Sequence, residues 1–168
     1  VNANAPIGGV RPLPDLGNIT YIDSVGRTES QGMDVSISLN YAPKRLFGTI
    51  NYRLAEANSD GDSAASLPVD STNLAAEWGP TRNDVRHRIF GFVSTPLLFG
   101  FRTNVNVRYE SGAPYNVTTG FDDNGDSVIN DRPDGLGRNS ARGDDQVNVD
   151  LRLSWSKGFG KPKTGEGV

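Results

Sequence analysis

Two nine-residue stretches constrain this chain more than anything else in it. In 33–41, Met33, Val35, Ile37, Leu39 and Tyr41 alternate with Asp34, Ser36, Ser38 and Asn40. In 147–155, Val147, Val149, Leu151, Leu153 and Trp155 alternate with Asn148, Asp150, Arg152 and Ser154. Successive strand side chains point to opposite faces, so a period of two makes a ribbon apolar on one side and polar on the other. A helix would scatter the same residues around its circumference. Both stretches are expected to be strands.

Four weaker segments join them. Residues 101–109 alternate cleanly, with Phe101, Val105, Val107 and Tyr109 opposed to Arg102, Asn104, Asn106 and Arg108. Residues 46–55 put Ile50, Tyr52 and Leu54 on one face, residues 86–95 carry apolar groups on both, and residues 18–25 complete a set of six. Only 73–78 has the pattern of a single helical turn. The 20 Gly and 10 Pro residues of this 168-residue chain exclude a long helical bundle, since these are the poorest helix formers. No stretch approaches the roughly 18 consecutive apolar residues of a spanning helix.

The connections alternate in length. Residues 42–45 and 95–100 are short and contain proline, as tight hairpins do. Residues 56–85 and 110–146 are long, polar and rich in turn formers. Residues 26–32 fall on the long-loop side. Short turns on one rim and long loops on the other are the pattern of transmembrane β-barrels. The expected fold is all-β: an antiparallel meander of about six strands, part of a large barrel or of a self-associated β assembly. A soluble β-sandwich stays open, because alternation alone does not distinguish lipid from a second sheet.

A formal net charge of −3 argues against nucleic acid as a partner, which requires clustered Lys and Arg. There is no Cys, hence no disulfide, thiolate nucleophile or Cys-ligated metal. His87, the only histidine, lies between Arg86 and Arg88 with no nucleophile signature in the chain. A rim or loop-anchoring role is expected there, and the chain is not expected to be an enzyme. One segment has ligand spacing: Asp122, Asn124 and Asp126 match the D-x-[DN]-x-[DN] start of a calcium loop, and Asn130 or Asp131 can close the coordination sphere. Ser127 stands where an EF-hand loop has Gly, and Pro133 where it has Glu. Calcium is the one cofactor the sequence suggests, against the alternative of a solvated acidic loop with Asx turns.

The runs NDVRHR (83–88), SGAPYNVTTG (111–120), NGDSVINDRPDG (124–135) and GRNSARG (137–143) resemble the C-terminal barrel region of TonB-dependent outer-membrane receptors. The nearest kind is the Oar-like group with a carboxypeptidase-regulatory-like N-terminal domain. The resemblance implies a barrel of about 22 strands filled by a plug, which takes up substrates with energy relayed by TonB. On this reading residues 1–168 are a single β-rich unit, a fragment of the larger barrel without its plug. Its partners are the remainder of that barrel and lipid in the bacterial outer membrane. The alternative is a processed, extracellular fragment that associates with identical chains through open strand edges, as a ring or filament.

Overall fold

The computed structural model describes residues 1–7, 9–63 and 65–158. Five long strands carry it: β1 (Thr28–Tyr41), β2 (Leu46–Ser59), β4 (His87–Pro96), β5 (Phe101–Glu110) and β8 (Gln146–Trp155). All neighbours are antiparallel, in the order β1-β2-β4-β5-β8. A two-residue strand, β3 (Gly79–Pro80), pairs with the end of β2, and β6 (Pro114–Tyr115) with β7 (Ala141–Arg142) forms a separate ribbon. The sheet is therefore an open meander, with β1 and β8 at its edges.

The register carries the alternation of single strands across the whole sheet. Ile37, Ile50, Gly91, Val107 and Val149 stand in one row, and Leu39, Gly48, Val93, Val105 and Leu151 in the next. On the opposite face Ser36, Asn51, Phe90, Arg108 and Asn148 form one row, and Asp34, Arg53, Arg88, Glu110 and Gln146 another. A slip of one residue in any ladder would mix the two faces. Two compact turns keep the register. A 3-10 turn at Ala42–Lys44 ends on Arg45 in the left-handed region, and another at Leu98–Gly100 is closed by Leu97 N–H donating to the Phe101 carbonyl at 2.7 Å.

Among the described residues no aliphatic or aromatic side chain is buried. Ile37 is 64% exposed and Leu151 72%, so no second sheet covers the apolar face and the sandwich is not formed. Val35, Leu39, Val149 and Leu153 are exposed beside them, giving the single band that a barrel segment requires. Apart from Pro68, Gly79, Gly112 and Pro114 the buried residues are polar, and all but Ser94 lie outside the main sheet or at its long-loop end.

One expected strand is absent. In residues 18–25 only Thr20 forms an isolated bridge, to Asn2. Adjacent Tyr21 and Ile22 break the alternation, and Tyr21, Ile22 and Val25 all stay exposed. The expected loop at 26–32 instead opens β1, with Thr28 to Gly32 paired to Ser59 to Ala55. That extension is polar on both faces, so hydrophobic periodicity carries no trace of it. The helical turn is present as a 3-10 turn at Leu74–Glu77.

Candidate functional site

At the long-loop end, residues 60–86 and 111–145 fold over one another and are joined by buried ion pairs. Glu77 sits on the 3-10 turn, 5% exposed, and Arg132 grips its carboxylate with both terminal nitrogens, at 2.5 and 3.2 Å. The same carboxylate accepts the Val69 amide at 3.0 Å. Arg138, also 5% exposed, uses its whole donor fork. Nε donates to the Glu77 carbonyl at 2.8 Å, one terminal nitrogen to Asp62 at 2.7 Å, and the other to Gly79 O at 3.1 Å and to Ser59 through its carbonyl and hydroxyl. Only a planar guanidinium satisfies acceptors spread in this way.

A second node is Asp84, 2% exposed. Its carboxylate accepts the Ala57 amide at 2.9 Å and Arg142 at 2.5 Å, while Arg142 also reaches the carbonyls of Asp84 and Gly112. Beside it Gly112 meets Gly143 closely: a Cβ on Gly112 would lie 1.8 Å from the Gly143 carbonyl oxygen. Gly112→Ala is expected to part these two backbone segments at a cost of about 1–3 kcal/mol, the range for overpacking. Faster hydrogen exchange at the Gly143 amide, which donates to Ala113 O at 3.0 Å, reads it out.

His87 starts β4 with Nδ1 2.9 Å from the Tyr52 hydroxyl and the two rings stacked, and its backbone amide donates to Ser111 Oγ at 3.0 Å. It holds the base of the loops. The loop-bracing residues Asp84, Arg132, Arg138 and Arg142 all belong to the runs singled out in the sequence. Their partners Glu77 and Asp62 do not, and separations of 55 and 76 residues leave no local trace of those pairs. A usable signal was arginine inside a glycine-rich run, where little else is available to bury it.

The predicted calcium ligands are partly gathered. Asp122 Oδ1 and Asn124 Oδ1 both accept the Asp126 amide, at 2.9 and 2.8 Å. Asp122 Oδ2 accepts the Ser127 amide at 2.9 Å, and Asp126 Oδ1 accepts that of Val128 at 2.8 Å. Asp131 caps the loop from the other side, taking the amides of Asp123 and Asn124. Asn130 turns its amide nitrogen outward to the carbonyls of Leu67 and Pro68. Among the described residues no three acidic or histidine side chains converge as a ready-made metal cluster.

Burial, reinforced by the charges of Asp122, Asp131 and Asp70, raises the Asp126 carboxyl pKa above its ordinary value despite the Val128 amide. The folded loop therefore holds this proton more tightly than the unfolded chain does. Its contribution to stability is intact below the ordinary carboxylate pKa and is lost as pH rises through the raised value. The protection of the Val128 amide against exchange, relative to the unfolded chain at the same pH, is expected to fall over that interval, and Asp126→Asn to flatten its pH dependence.

No curated protein and no solved structure matches the chain. The family model of the outer membrane β-barrel domain matches residues 1–165. An open antiparallel meander, apolar on one face and polar on the other, is the wall such a domain is built from, and this chain belongs to the outer membrane β-barrel domain family.

Proposed function

We propose that this sheet is a stretch of the wall of a TonB-dependent outer-membrane receptor that imports its substrate. The observation that carries the reading is the continuous apolar face across all five long strands, exposed and backed by a polar one. The apolar face meets lipid, and the polar face, with Arg108, Asp150 and Arg152, lines the lumen. Aromatic groups mark both margins of the band: Tyr52 and Tyr109 toward the long loops, Tyr41, Phe101 and Trp155 toward the short turns. From Tyr109 to Phe101 is about eight steps of ~3.3 Å. With strands tilted ~40° that rises ~20 Å, close to the ~25 Å apolar belt of such barrels. The long loops are then extracellular, and β1 and β8 pair with further strands of the same barrel.

Single cysteines test the wall. Val149→Cys and Leu151→Cys are expected to be quenched by lipid-borne probes, and Asn148→Cys and Asp150→Cys to react with water-soluble thiol reagents. Equal behaviour at alternate positions would refute the wall. Energy coupling is tested separately, by association of the whole receptor with the periplasmic domain of TonB. Absence of association leaves a barrel but removes the transporter.

The two unpaired edges also favour a second reading, self-assembly of a released fragment into an extracellular filament or ring. Sedimentation in detergent-free buffer separates it: assemblies support it, whereas a monodisperse 18.0 kDa species rules it out.

A further inference from the structure

The 122–131 loop is braced from within, yet it contains two oxygen atoms with nothing to bind. Asp126 is 6% exposed, and its Oδ2 is buried without a hydrogen-bond partner. Asn130 Oδ1 is in the same condition, while its amide nitrogen is committed to the carbonyls of Leu67 and Pro68, which fixes which end is oxygen. A buried acceptor left unmatched carries its desolvation cost uncompensated, the more so when it is charged. The charges that bear on Asp126 are all acidic: Asp122, Asp131 and Asp70. The nearby cations are committed to other acceptors, Arg11 to the Ser127 hydroxyl at 2.8 Å, the Asn4 carbonyl and the Asn18 side chain, and Arg132 to Glu77. What the site lacks is a positive charge that accepts only oxygen.

We propose that residues 122–131 bind a calcium ion through the side chains of Asp122, Asn124 and Asp126, with Asn130 and the Val128 carbonyl completing the sphere. The donor set is all oxygen, mixing carboxylate, amide and backbone carbonyl, which suits a hard cation of flexible geometry better than magnesium or zinc. The amides of Asp126, Ser127 and Val128 already hold one side of the three leading ligands, leaving their other lone pairs for the ion. Ser127 takes φ +71°, the conformation that a calcium loop assigns to its sixth position. No bidentate Glu closes the loop, so the affinity is expected in the range of extracellular modules, with Kd about 10⁻⁴–10⁻³ M. The ion also has a mechanical effect: Asn124 donates to Val69 O at 2.7 Å and Asn130 to Leu67 and Pro68, so an ordered loop pins the 67–69 segment of the other long loop.

The test is a calcium chloride titration of the full chain in detergent or lipid, with magnesium chloride in parallel, followed by hydrogen exchange at Asp126, Ser127 and Val128. Saturable protection at sub-millimolar to millimolar calcium, with magnesium at least about tenfold weaker, is the expected result. Asp126→Asn and Asp122→Asn, which keep side-chain shape, are each expected to weaken calcium binding about tenfold or more, while Asp134→Asn leaves it unchanged. No saturation by about 10 mM calcium, an order above the expected range, would overturn the proposal. So would equal response to magnesium, or unaltered binding in Asp126→Asn with the exchange pattern of the sheet intact.

Discussion

Leu151→Arg is expected to destabilise the completed barrel by about 2–4 kcal/mol in lipid, the cost of a cation at the bilayer midplane. Leu151 is 72% exposed and stands in the row with Leu39, Val93 and Val105, midway between the two aromatic margins. The neighbouring change Asp150→Asn lies on the opposite face and is expected to cost far less, because water solvates that face. Urea titration of folding into vesicles measures both. Equal costs at positions 150 and 151 would mean that the two faces see the same surroundings.

Removing one arginine from the loops should have an effect of similar size in a different place. Arg138→Ala takes away five hydrogen bonds and leaves Asp62 and three backbone carbonyls short of a donor. Breaking a buried charge pair costs about 3–5 kcal/mol. Asp62 keeps a side chain 22% exposed, which favours the lower end. At about 1.4 kcal/mol per tenfold, 3 kcal/mol raises the open population of the loops roughly a hundredfold. Limited proteolysis within 60–86 and 111–145 is expected to accelerate accordingly while the strands stay protected. Arg138→Lys should recover little, since an ammonium does not reach acceptors on several sides. Glu29→Ala provides the contrast: its pair with Arg27 is 56% and 67% exposed, and exposed pairs contribute about 1 kcal/mol or less. Unchanged cleavage in Arg138→Ala would show that the loops are held by something else.

The strands that cross the apolar band were legible because one chemical alternation fixes both their conformation and their facing. That is why 33–41 and 147–155 fall inside β1 and β8, and why 101–109 lies within β5. The same signal fails above the band, where both faces are polar: Thr28 to Gly32 pair as firmly as Val35 and Ile37, yet their side chains do not announce it. It also misleads at 18–25, where apolar residues are frequent but no ladder is offered. The loop cap was legible in composition and hidden in its partners. Asp122, Asn124 and Asp126 lie close in sequence, so spacing alone brought them forward. Glu77 and Arg132 lie far apart in sequence, and only the closing of two separate loops brings them into contact.

In the meander each long strand pairs with the long strand before it and the one after it in the chain, so the hairpin is the natural unit of growth. Inserting or deleting a hairpin changes the circumference by two strands and presents the same kind of edge to the next neighbour, with every remaining ladder in register. The sheet alone is therefore tolerant of duplication and loss. The cap is not, because its arginines reach from one hairpin's loop to another's and a missing hairpin would strand a buried charge. An architecture of this kind can widen or narrow its pore in even steps only where no such tie crosses the junction, which confines recombination to the hairpins lying outside the cap.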